Sequence, residues 1–132
     1  MVLKACQFSS SYLENLGNDR FELKPLPKQA QFSPVYAIQT GDYTMDGLPD
    51  LLLAGNFSGF RIKYGNYDAN RGLLLAGDGQ GNFSEVPNRL SGLNIRGEVR
   101  DIASIRISPG RQLLILARNN DQVLIYEFNG TP

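Results

Sequence analysis

The chain has 132 residues, 42% of them hydrophobic and 20% charged, with 13 Lys plus Arg against 13 Asp plus Glu and no histidine. That is material for one domain burying roughly two-thirds of its unfolded surface; balanced charge gives no broad positive field for nucleic acid or an anionic membrane. Without histidine the usual general base and the Ser–His and Cys–His nucleophilic pairs are excluded, and the single cysteine, Cys6, allows neither an intrachain disulfide nor a thiolate zinc cluster. No stretch reaches the ~18 apolar residues of a membrane helix, and Met1 to Cys6 is too short an apolar run to be expected to act as a signal peptide.

Gly (14) and Pro (7) recur at short intervals, which leaves no room for helices of ten or more residues. Short runs of Val, Ile, Leu, Tyr and Phe between Gly, Asn and Asp instead predict strands. In chain order these are 10–15, 20–24, 34–40, 50–55, 72–77, 82–86, 99–107, 112–118 and 122–128. Leu51-Leu-Leu-Ala54, Leu73-Leu-Leu-Ala76 and Leu113-Leu-Ile-Leu-Ala117 are apolar at successive positions, so both of their faces are expected to be covered. Gly17 and Gly79, each four residues ahead of an aromatic (Phe21, Phe83), predict tight hairpins with positive φ at glycine.

Those two hairpins lie 62 residues apart, and the same offset relates Asp50-Leu-Leu-Leu53 to Gln112-Leu-Leu-Ile115; a nearly equal one relates Val35–Ile38 to Val99–Ile102. A repeat of about sixty residues with four short strands is the unit of a β-propeller blade. The fold expected is therefore all-β, with about two and a fraction blades of four-stranded antiparallel sheet: a partial blade over 1–33, a complete one over 34–90 and a partial one over 91–132. A blade buries its faces only against neighbours. The chain is thus expected to be part of a longer propeller or to self-associate as a homo-oligomer, with the strands near 10–24 finishing the blade begun by 99–128 of another copy.

Between two of these strands lies Gly41-Asp-Tyr-Thr-Met-Asp-Gly-Leu-Pro-Asp50. Asp42, Thr44, Asp46 and Asp50 stand at loop positions one, three, five and nine, with Gly47 at six to permit the reversal. Three carboxylates, a hydroxyl and the Leu48 carbonyl supply up to about eight hard oxygens, the number Ca²⁺ takes. Thr44 replaces a charged or amide ligand and lowers the site charge, which sets an affinity in the micromolar to millimolar range on the order expected for weak sites. The loop is not a helix–loop–helix calcium site, because position twelve is Leu53 in an apolar strand rather than Glu. The alternative is a polar turn in which Asp42 and Asp46 cap nearby amides. The matching place in the next unit, Ile107-Ser-Pro-Gly-Arg-Gln112, has no carboxylate.

With this loop and the segments 31–38, 50–56, 65–72 and 77–83, the sequence resembles the FG-GAP/VCBS repeat proteins, integrin-α-like β-propellers, and in particular the C-terminal blades of secreted bacterial VCBS-repeat proteins. The resemblance implies Asp-x-Asp/Asn-x-Asp-Gly-x-x-Asp calcium loops between the first two strands of a blade. Carried onto this chain, the calcium positions are Asp42, Thr44, Asp46, Leu48 through its backbone oxygen, and Asp50. It further implies an extracellular or cell-surface setting and leaves the ligand open; the function expected is a non-catalytic binding module for a protein or glycan ligand.

The loop Gly65-Asn-Tyr-Asp-Ala-Asn-Arg-Gly72 offers Tyr67 as a stacking face and Asp68, Asn70 and Arg71 as polar contacts, a lectin-like alternative to a solvated loop built of Asx turns. Arg61, Lys63 and Arg71 read as an exposed strand face. The glycines of Gly77–Gly81 are followed by a strand, not a helix whose N-terminus would hold a phosphate. Glu85, Glu98 and Asp101 could supply a carboxylate pair for glycoside hydrolysis, but nothing in their spacing fixes a separation, and no enzyme activity is expected.

Overall fold

The structure, a computed structural model, describes residues 3–59, 65, 67–109 and 111–129; Arg61 and Lys63 of the cationic stretch and Asn66 of the 65–72 loop lie outside them. The chain is all-β, with nine strands and two single turns of helix among the described residues. Strands β1 (Ser11–Gly17) and β2 (Arg20–Pro25) form a hairpin; a 3-10 turn (Lys28–Gln31) leads to β3 (Val35–Gly41), β4 (Asp50–Gly55), β5 (Leu73–Gly77) and β6 (Phe83–Val86). A helical turn, α1 (Asn88–Ser91), precedes β7 (Val99–Ser108), β8 (Arg111–Arg118) and β9 (Leu124–Asn129). Every pairing is antiparallel, in three sheets of order β1-β2, β3-β4-β5-β6 and β7-β8-β9.

The turns follow from residue chemistry. Between β1 and β2 positive φ falls not only on Gly17 but on Asn18 (51°) and Asp19 (59°), the two central residues of a hairpin turn that tolerates Asn and Asp in the left-handed region. Between β5 and β6 the Asp78 carboxylate accepts the N–H groups of Gln80 (2.7 Å) and Asn82 (3.0 Å) and the Asn82 side-chain amide (2.6 Å), which holds its carboxyl below the usual range.

The central sheet is buried on both faces. On one, Ala37, Leu52, Ala54 and Leu74, with Tyr43 of the loop between β3 and β4, pack with Ile95, Val99, Ile102, Leu114 and Leu116 of the third sheet and its leading segment, and β3 and β4 lie against β7. On the other, Leu53, Leu73 and Leu75 pack with Ala30, Leu26, Val35, Leu51 and Phe83. The β1–β2 hairpin lies beyond that face. Tyr12 meets Phe83 edge-on at 5.7 Å, and Gln31 fastens the hairpin by exchanging two hydrogen bonds with the backbone of Ser10 (2.8 and 2.9 Å).

The third sheet departs from the expectation that Leu113–Ala117 is covered on both sides. Leu114 and Leu116 are buried, but Leu113 and Ile115 are only half-buried and share their face with Ile105 (49% exposed) and Ile125 (62%). The reason is position: no described part of the chain packs against that face. Among the described residues β9 pairs only with β8, so this sheet has three strands where its neighbour has four.

Candidate functional site

The loop from Asp42 to Pro49 joins β3 to β4, and its conformation is written by its own carboxylates. Asp42 accepts the N–H of Asp46 through Oδ1 (3.1 Å) and of Gly47 through Oδ2 (3.0 Å), curling the loop, and Asp46 Oδ1 accepts the N–H of Leu48 (2.8 Å). The reversal uses positive φ at Gly47 (84°), as the spacing predicts, and also at Met45 (61°). Asp42 and Asp46 are thus brought together at the exposed rim, in the capping role that the polar-turn reading gives them.

Asp50 stands apart from them. It is fully buried at the start of β4; its Oδ2 accepts the N–H groups of Tyr43 and Thr44, both at 2.8 Å, and its Oδ1 that of Gly77 at 3.0 Å. One carboxylate therefore closes the loop onto its own strand and ties it to the end of β5. The approach requires glycine at 77, where a Cβ would stand 2.2 Å from the Pro49 oxygen. Three charge-assisted bonds also explain how a buried carboxylate is tolerated without a cationic partner.

Among the described residues no group of three or more acidic or thiol side chains is placed to hold a metal ion. The physical reason is the inward turn of Asp50. One oxygen of the loop is left over: Thr44 Oγ1 is buried and has no hydrogen-bond partner among the described residues. A buried hydroxyl left unpaired is costly. The second such atom is the Tyr43 hydroxyl, whose ring packs edge-on at 5.5 Å against Phe128; burial, then the Asp50 charge, push its pKa up to about 12.

The residues of the 65–72 loop are drawn to two adjoining clefts. Tyr67, Asp68 and Arg71 line one of about 350 Å³ with Ser58, Arg96 and Glu98; Asn70 and Arg71 line a second of about 710 Å³ with Glu85, Asn88 and Arg89. Asn70 Oδ1 accepts the Gly72 N–H at 2.7 Å, an Asx turn within its own loop.

Sequence reasoning gave Asn56 no role and read Glu98 only as half of a possible carboxylate pair. Asn56, with φ of 82° and 3% exposure, accepts the Ser33 hydroxyl (2.8 Å) and the Asn70 N–H (2.9 Å) on Oδ1, and donates from Nδ2 to the carbonyls of Asn70 (2.8 Å) and Gly97 (3.0 Å). It pins the long β4–β5 connection to the segment before β7. Glu98 accepts from the Ser58 hydroxyl and N–H, from Asn119 Nδ2 (2.9 Å) and from Arg100, whose guanidinium also lies 4.3 Å over the Tyr36 ring. The Ser58 hydroxyl first, then Asn119, hold the Glu98 carboxyl down at about 2. Only the position of Asn56 just past an apolar strand hinted at such a role. Glu85 is engaged by Gln29, so neither it nor Glu98 stands free as half of a carboxylate pair.

No family model, no curated protein and no solved structure matches this chain, so the geometry above carries the functional reading.

Proposed function

We propose that the chain is a non-catalytic binding module of β-propeller type, related to the FG-GAP/VCBS repeats, in which the 42–50 loop takes a structural Ca²⁺ ion. The observation that carries the metal reading is the buried Thr44 hydroxyl, without a partner among the described residues, at the third position of a loop that also holds Asp42 and Asp46. Asp42, Thr44, Asp46 and the Leu48 carbonyl would hold the ion. Asp50 supports them from behind through the Tyr43 and Thr44 amides. When bound, calcium supplies charge neutralisation at a loop that fixes the first two strands of the sheet, which couples binding to folding stability.

Support for the blade reading comes from the meander order of the central sheet and from β3 and β7 lying beside one another as first strands of successive sheets. The half-open face around Ile105 and Ile125 favours a neighbouring sheet, from a longer propeller or a second copy. The clefts around Arg71 favour a second reading, a lectin-like module that binds glycan there.

Thermal melting tests the metal. Ca²⁺ at about a hundred times its dissociation constant stabilises by about 2.7 kcal/mol, which is several degrees in a domain of this size. Asp46→Ala, which leaves the Asp50 bonds intact, abolishes the rise. An equal melting temperature in chelator and in millimolar Ca²⁺ refutes the calcium reading.

A further inference from the structure

Two arginines, Arg71 and Arg96, line the smaller cleft. The Ile95 N–H donates to the Arg71 carbonyl at 2.8 Å, so the backbone pairs the two segments at the point from which Arg71 and Arg96 both reach the cleft wall. Ile95 is 1% exposed and packs against Gly72, where an added Cβ would lie 2.6 Å from the Ile95 Cδ1; the crossing is rigid. Neither guanidinium makes an ion pair or side-chain hydrogen bond among the described residues. Two cations lining one cleft give it a positive field that favours an anion.

The neighbouring carboxylate does not serve. Glu98 lines the same cleft, but its oxygens are taken by Ser58, Asn119 and Arg100. Asp68 is the other carboxylate on the wall, and it forms no ion pair with either arginine. The cleft therefore presents two fork-shaped donors for a carboxylate, one acceptor carboxylate for hydroxyls, and the Tyr67 ring, 45% exposed. Tyr67 is fixed in place by reciprocal backbone bonds to Phe57 (2.9 and 3.0 Å). Guanidinium pairs recognise a carboxylate by bidentate bonding, aromatic faces cover the apolar side of a pyranose, and an Asp accepts from vicinal hydroxyls.

From this juxtaposition we propose that the cleft binds a sugar acid, with Arg71 and Arg96 on the ligand carboxylate, Asp68 on its hydroxyls and Tyr67 against the ring. A space of about 350 Å³ suits one or two sugar residues. The inference rests on the lectin-like reading of the same loop and narrows it to acidic glycans.

Calorimetric titration of the full chain with glucuronate, galacturonate and N-acetylneuraminate, each beside neutral glucose and galactose and beside inorganic phosphate, tests it. The expected result is that at least one acid binds tenfold or more tighter than the neutral sugars and than phosphate. Arg71→Gln and Arg96→Gln each lower that affinity at least tenfold while the melting temperature holds. Arg96→Lys, which keeps charge but loses the fork, falls between. Equal binding of acid and neutral sugars overturns the sugar-acid inference while leaving the lectin reading standing. Equal binding of phosphate reduces the site to a plain anion site and overturns it too, and no binding of any sugar overturns both.

Discussion

The β3–β4 and β7–β8 hairpins are the same piece of architecture finished in two ways. At their open ends they are fastened alike: the Asn56 N–H donates to the Pro34 carbonyl at 3.1 Å, and the Asn119 N–H to the Glu98 carbonyl at 2.8 Å. Each bond ties the residue after the second strand to the residue before the first. At the closed ends they differ. β7 and β8 close with Ser108 facing Arg111, whereas β3 and β4 are joined by the eight residues 42–49 and locked by a buried carboxylate. The lesson is that the sheet does not need the long loop to form its hairpin. The loop and its polar residues are an addition, and the addition costs a buried charge that must be balanced by three amides.

The contrast can be broken most severely at Asp50. Replacing Asp50 by Ala strands three buried N–H groups, each costing about 1–3 kcal/mol, so chemical denaturation should report a loss of about 3 kcal/mol or more. Gln112→Ala in the corresponding strand of the other hairpin, at a partly exposed position, should stay within about 0.5 kcal/mol. Equal losses at the two positions would show that Asp50 is no lock.

A smaller effect separates the two fastenings. Glu98 titrates at about 2 in the folded chain against an ordinary 4.5, so its folded pKa is depressed. Its stabilisation is complete above about pH 4.5 and disappears as pH falls through about 2. Glu98→Gln should therefore be less stable than the parent at pH 6, and the gap should close by pH 2. A gap that is constant across this range contradicts the assignment. The Asn56 fastening carries no titrating group and should show no such window.

The smallest effect lies at Tyr43. Its hydroxyl is buried without a partner, so Tyr43→Phe removes a polar atom and keeps the ring against Phe128. Stability measured by denaturant should be unchanged or higher, by up to about 1 kcal/mol. A clear loss would mean that the hydroxyl is satisfied after all.

The strands were legible because their signal is local. Val35–Ile38, Leu51–Ala54 and Leu113–Ala117 announce themselves by β-branched and apolar runs between turn formers, and the hairpin turns by Asn18-Asp19 and Asp78-Gly79. What each polar residue does was not local. Asp50 reads as one member of an evenly spaced acidic set, yet its partners include the Gly77 amide, which reaches it only because β5 lies next to β4. Asn56 is silent in sequence because its four hydrogen bonds go to Ser33, Asn70 and Gly97, on three separate segments. Arg96 carried no signal, since its pairing with Arg71 is made by a backbone bond of the neighbouring Ile95. Spacing located the loop; tertiary hydrogen bonding decided which of its oxygens remain available.

The free side of β9 has a consequence for handling the chain by itself. Among the described residues β9 is flanked on one side only; such a strand offers alternating amide donors and acceptors to any extended segment it meets, and in β9 these sit beside the exposed Ile125 side chain with Glu127 as its one acidic residue. Concentrated stocks should accordingly be prone to edge-to-edge growth into fibrils or gels, and a proline or an added lysine along that margin is the economical way to keep preparations in solution.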